Sequence, residues 1–178
     1  MTPQDILDFW LTQPAEKLFT ADPQFDREIE SRFGETLKQA RAGALDDWAA
    51  KAQGALALVI VLDQFSRNIH RGSAEMFAGD EKALGLARQA IDRGFDASLP
   101  PKMRGWFYLP FMHSENLDDQ LKCIDLATAA GLADTAHWAE VHAEIIRQFK
   151  RFPHRNGLLG RMMTEEEQAF LDAGGFRG

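Results

Sequence analysis

Apolar side chains recur at helical spacing along almost the whole chain, Gly and Pro punctuate the intervals, and the alternating β-branched pattern of strands is nearly absent. That pattern dictates an all-α fold. After Asp22-Pro23, the residues Phe25, Ile29, Phe33 and Leu37 follow one another at i+4 until Gly43 supplies a stop. Thr2, Pro3 and Asp5 predict a capped helix to about Leu11. A third helix over about 46–69 places Leu58, Leu62, Phe65 and Ile69 on one face. Others are expected over about 80–93, from Pro101 until Pro110 kinks or ends it, from Asn116 to Gly131, from Ala133 to about Phe149, and after the capping box Thr164-Glu-Glu-Glu167.

About eight helices with short connections predict stacked antiparallel helical hairpins. A faint echo between Leu86-Ala-Arg-Gln-Ala-Ile-Asp-Arg-Gly94 and Cys123-Ile-Asp-Leu-Ala-Thr-Ala-Ala-Gly131 suggests a tetratricopeptide-like array, whose period is roughly 34 residues. No low-complexity tract divides the chain, so residues 1–178 are expected to form a single domain. Trp10, Phe19, Phe33 and Trp48 are assigned to the core, and the Tyr108 hydroxyl needs a partner if it is buried.

The 27 acids against 20 Lys and Arg give a net charge of −7, which argues against nucleic-acid binding. The longest apolar run, residues 55–62, is too short to span a bilayer. The acidic start is unlike a secretory leader and Cys123 is the single cysteine, so a cytoplasmic protein is expected, with no membrane partner. No phosphate loop or dinucleotide fingerprint occurs and no cofactor is expected. His137 and His142 are five apart and do not converge as a metal pair would, so no metal site is assigned.

Against that acidic background, the segment Arg147-Gln-Phe-Lys-Arg-Phe-Pro-His-Arg-Asn-Gly-Leu-Leu-Gly-Arg161 carries five Lys and Arg and no acid. Pro153 should stop the helix, the Asn156-Gly157 turn should display His154 and Arg155, and Leu158 and Leu159 should anchor the loop. Arg155 and Arg161 suit a carboxylate or phosphate. Two further segments press polar groups among large apolar residues. In Leu62-Asp-Gln-Phe-Ser-Arg-Asn-Ile-His-Arg-Gly72, Asp63 and Arg67 should pair at i,i+4 or meet partners on another helix if buried. In Phe107-Tyr-Leu-Pro-Phe-Met-His-Ser-Glu115, His113 titrates near neutrality and Glu115 lies beside it.

These three motifs, with Ile6-Leu-Asp-Phe-Trp10 and Phe25-Asp26, resemble the signatures of a bacterial domain-of-unknown-function family, number 924, across essentially the whole chain. The resemblance implies an all-helical, tetratricopeptide-like domain and assigns no activity or catalytic residue. Lys150 stands where that family usually has Gly, and Met163 where it often has Ser.

The functional expectation is a binding module whose cleft is lined by Asp63, Gln64, Arg67, Asn68, Arg71, His113, Glu115, His154, Arg155, Asn156 and Arg161. Its partner would be a small anionic molecule or a peptide carboxylate. Arg155 and Arg161 would clamp the anion, Asp63 and Glu115 would orient the arginines, and His113 would read a ligand hydroxyl or proton. An alternative is a hydrolase-type enzyme in which His113 or His154 works with Glu115 or Asp63 as acid and base. A third is a scaffold whose charged cluster is wholly structural.

Overall fold

The computed structural model describes residues 1–178 and is all-helical. Its helices are α1 (Pro3–Leu11), α2 (Ala15–Phe19), α3 (Pro23–Arg41), α4 (52–69), α5 (Asp80–Asp92), α6 (Phe95–Ser98), α7 (Pro101–Met112), α8 (Leu117–Ala129), α9 (Ala133–Phe149) and α10 (Glu165–Asp172). Short 3₁₀ turns occur at Asp46–Ala50, Ala74–Phe77 and Pro153–Arg155. No helix is long and apolar enough to cross a membrane. Packing divides the chain into two compact units, one of Met1–Arg71 with Glu75–Pro110, the other of Gly72–Ala74 with Phe111–Gly178.

In the first unit, Thr2 and Asp5 form the expected capping box, and the Asp22 side chain accepts from the amides of Gln24 and Phe25 to start α3. Phe25, Ile29, Phe33 and Leu37 are all buried, as their spacing requires. The Phe25 and Phe33 rings meet those of Phe9, Trp10 and Phe65 at centroid separations of 4.8–6.1 Å. Phe19, assigned to the core from sequence, is instead 69% exposed and stacks on Trp106. The helix that carries it is five residues long and buries none of them, so nothing pulls the ring inward. Trp48 is only half-buried.

Helix α4 departs from expectation in two ways. Lys51 is extended, so the helix begins at Ala52 and 46–50 is a separate turn. Its middle, Ile60–Phe65, winds as a π-helix, and residues 54–66 are buried on every side rather than along one seam. A helix apolar all round must be central, and α1, α3 and α5 all pack on it. Gly79 is what lets the chain pass: a Cβ there would lie 2.2 Å from the Leu62 carbonyl oxygen. Pro110 does not end α7, which runs two residues further to Met112. The Tyr108 hydroxyl finds its partner in Asp96, at 2.8 Å.

The second unit is built on the hairpin of α8 and α9, closed by Gly131 in the left-handed region. Asn116 caps α8 through the Asp118 amide, while Asp119 accepts from the Ser114 hydroxyl. Small residues face inward, with Cys123, Ala127, Ala139 and Ala143 fully buried, and burial pushes the Cys123 thiol up to about 12. Helix α9 ends at Lys150, the one non-glycine residue of the chain with positive φ, at 61°. A left-handed cap favours glycine, which has no Cβ to clash. Lys150→Gly should therefore stabilise the protein by about 1 kcal/mol, read as a raised urea midpoint with unchanged slope; an unchanged or lower midpoint would show that the cap carries no strain.

Candidate functional site

The eleven residues singled out from sequence divide between the units. Asp63, Gln64, Arg67, Asn68 and Arg71 belong to the first; His113, Glu115, His154, Arg155, Asn156 and Arg161 belong to the second.

Asp63 and Gln64 lie in the π-helical segment of α4 and are buried. Arg67 Nη1 reaches the Asp63 carboxylate at 3.0 Å and its backbone carbonyl at 2.9 Å, and the guanidinium spreads over both oxygens of Asp80 at 2.8 and 3.0 Å. In an uninterrupted α-helix that carbonyl would take an amide proton; where the winding loosens, the arginine side chain substitutes. Burial opposes the charge on Arg67, but Asp63 and Asp80 outweigh it and raise its pKa. Asn68 and Arg71 converge on Asp26, with Arg71 fork-bonded at 2.7 and 3.0 Å. Burial alone would raise the Asp26 pKa, yet the hydrogen bonds from Arg71 and Asn68 hold it below its usual value. The Asp63–Arg67 pair thus forms at i,i+4 and meets another helix as well.

The second and third motifs come together in the other unit. Glu115 accepts the Phe152 amide at 2.9 Å and Arg161 Nη1 at 2.8–2.9 Å, which fastens the basic loop to the end of α7. Burial pushes its pKa up, while Arg161, the amide and the charge of Arg155 bring it below normal. Glu167 takes Arg151 in a fork at 2.6 and 2.8 Å, Asn156 at 3.2 Å and the Thr164 amide at 2.8 Å. Those bonds, Arg151 first, pull it down to about 2. Phe152 is extended before Pro153, as expected, and wholly buried. Arg155, expected on display at the turn, is turned inward: it is 7% exposed, with its guanidinium 4.5 Å from the centre of the Phe152 ring. Leu158, expected as an anchor, is 38% exposed, and the buried anchors of this loop are Phe152 and Asn156.

His142 completes the cluster. It stands on the inner face of α9, where its Nδ1–H donates to the Trp138 carbonyl at 2.7 Å, leaving Nε2 as the acceptor nitrogen. Its ring meets Phe152 at 5.4 Å and Phe176 at 4.5 Å, and His154 meets the same two rings at 5.6 and 5.3 Å. Burial lowers the His142 pKa to about 4, and the charges of His113, Arg155 and His154 push the same way. Three imidazoles and one guanidinium therefore share one field. Sequence reasoning treated His142 only as a surface or core residue, because its neighbours lie on other elements. Asp80 and Glu167 mark helix starts in the sequence and Asp26 belongs to the family resemblance, and nothing local shows that each also receives an arginine. No group of three His, Cys, Asp or Glu side chains is arranged to hold a metal ion. An open groove in the first unit, lined by Asp5, Asp8, Phe9, Thr12, Gln13, Glu28 and Arg32, contains none of the eleven residues.

An all-helical chain with a π-wound central helix and an arginine–histidine loop defines the class. The family model of a bacterial protein of unknown function, DUF924, matches residues 6–175, and the chain belongs to that family. A solved structure, that of the protein of unknown function ATU0120 from Agrobacterium tumefaciens, is similar at 41% identity and a TM-score of 0.93, with 97% of each chain covered. Comparison with the curated proteins returned no match.

Because the folded state keeps His142 neutral down to about pH 4 whereas the unfolded chain takes up its proton near 6.5, the contribution of this group is fully present above 6.5 and is lost as the pH falls towards 4. Between pH 7 and pH 5, before the carboxylates titrate, this one group should cost about 2 kcal/mol of stability. Urea unfolding at the two pH values should show that loss in the wild type and a much smaller one in His142→Phe. Equal losses in both proteins would remove the assignment.

Proposed function

We propose that the chain is a cytoplasmic, helical-repeat-like binding module whose Phe111–Gly178 unit holds a small anion or the carboxylate end of a peptide. One observation carries this reading. His142 and His154 both meet the Phe152 and Phe176 rings, Arg155 lies over Phe152 and His113 is near enough to act on His142, beside a basic loop fastened by Glu115 to Arg161 and by Glu167 to Arg151. Among these groups the arginines Arg151, Arg155 and Arg161 outnumber the carboxylates Glu115 and Glu167, inside a chain of net charge −7. Arg155, backed by the Phe152 ring, would present its planar donors to the anion, and His113 would read a hydroxyl or proton of the ligand. The acidic composition and lone buried cysteine support a reducing, cytoplasmic setting.

A second reading is favoured by the ion pairs themselves. Arg67, Arg71, Arg151 and Arg161 are each spent on a carboxylate of their own unit, which is how a structural scaffold would use them.

One experiment separates the two. Thermal-shift titration would use inorganic phosphate, sulfate, succinate, and a tetrapeptide with either a free or an amidated C-terminus. The binding reading expects at least one anion to raise the wild-type melting temperature in a saturable way, by about 2.7 kcal/mol of stabilisation at a hundredfold excess over Kd, and expects Arg155→Met to lose the response. The scaffold reading expects Arg155→Met to melt sharply lower and no probe to raise either protein. An Arg155→Met protein that responds as the wild type does would overturn the binding reading.

A further inference from the structure

The segment that follows α10 is not needed to complete any helix, yet it folds back over the imidazole cluster. Gly174, at φ 85°, and Gly175 make the reversal, with the Gly174 amide donating to Leu171 and the Gly175 amide to Phe170. Both positions need glycine for different reasons. Gly174 is left-handed, and a Cβ on Gly175 would lie 2.6 Å from both the Phe170 ring and its carbonyl oxygen. The reversal delivers Phe176 edge-on to His142 and His154 at once, and lays Gly178 against the His154 ring, where an added Cβ would be 3.3 Å from Cδ2. Phe176 also joins the small core of Ile145, Ile146 and Phe152, the residue over which Arg155 lies.

Beyond Gly175 this segment makes no backbone–backbone hydrogen bond, and Arg177 contributes one bond, from Nη2 to the Leu171 carbonyl. Phe176 is half-buried, and Arg177 and Gly178 are exposed. A cover without backbone pairing beyond Gly175, with Arg177 and Gly178 exposed, is drawn from the low-stability end of a fold, where local opening does not require global unfolding. The cluster beneath it is secured quite differently, by Glu115, Glu167 and the fully buried Phe152.

From this contrast we infer that residues 174–178 form a displaceable strap over the histidine–arginine cluster, and that access to His142 and His154 requires Phe176 to lift away. The inference rests on the anion-binding reading only for its consequence, that the strap competes with the ligand; the shielding stands on the packing alone. Opening at the two glycines would bare the His154 ring and the Nε2 side of His142 while α8, α9 and the 151–161 loop keep their places. An anion would then meet the cluster with Arg155 already set against its aromatic backing.

The test uses the whole chain and two variants. Phe176→Ala removes the ring, and Gly175→Ala keeps the ring but cannot make the reversal; circular dichroism checks that both are helical. Diethyl pyrocarbonate modification, followed residue by residue by mass spectrometry at pH 7, should be slow at His142 and His154 in the wild type. In both variants it should quicken ~10-fold or more at these two residues, with exposed His137 as the unchanged reference. Inorganic phosphate, titrated calorimetrically, should bind the variants several-fold more tightly than the wild type. Unchanged modification rates in both variants would overturn the strap, whether or not phosphate binds. Faster modification with phosphate binding to none of the three proteins would uphold the strap as a shield and remove the anion reading.

Discussion

The second unit depends on one half-buried carboxylate. Glu115 sits at the end of an apolar helix and receives the amide of Phe152, 37 positions further along the chain, and the guanidinium of Arg161, 46 positions along. Those two bonds do separate things. The amide bond fixes the point where the chain leaves α9, so that Phe152 enters the core and Pro153 can turn the loop. The arginine bond closes the far end of the same loop. Between these fixed ends lie His154, Arg155 and Asn156, whose positions follow from the clamp rather than from any helical regularity. Removing the carboxylate would leave an orphaned amide and an unpaired guanidinium at once, the more damaging direction in which a partly buried pair can be broken.

The first unit solves a related problem with different parts. Its central helix is buried on all sides, so a charged residue on it must bring its own partner. Asp63 does so through Arg67 one turn later, and the arginine is shared with Asp80 at the start of the next helix. The π-helical turn at this level frees backbone carbonyls that an ordinary helix would satisfy, and Arg67 takes one of them. In each unit the arginines serve the backbone as much as the carboxylates. This is why the motifs are so dense in groups of fixed geometry and contain so few lysines.

Much of the helical fold was legible because it is written in local chemistry. The caps at Thr2, Asp22, Asn116 and Thr164, the i+4 run from Phe25 to Leu37 and the stops at Gly43, Gly94 and Gly131 are all contained within a few residues of one another. The misreadings share a physical cause. Phe19 is apolar but sits on a helix too short to be drawn into the core, and the π-winding of α4 leaves no signature in an apolar run. The Asp63–Arg67 pair followed from the cost of burying a lone charge, whereas for Glu115 the sequence indicated only that it would orient the arginines. The inward turn of Arg155 and the presence of His142 did not follow, because both depend on which elements face each other across the hairpin, and a single sequence is silent on that.

The proposal that His113, His154 and Arg155 together receive an anion is the one on which the functional reading stands or falls. It is tested most directly by following the imidazole resonances of the five histidines during a titration with inorganic phosphate. His113 and His154 should shift together along a single saturating curve, His142 should follow with smaller amplitude, and His70 and His137 should stay where they were. Resonances of His113 and His154 that remain fixed to high phosphate, or that drift unsaturably in step with His137, would contradict it.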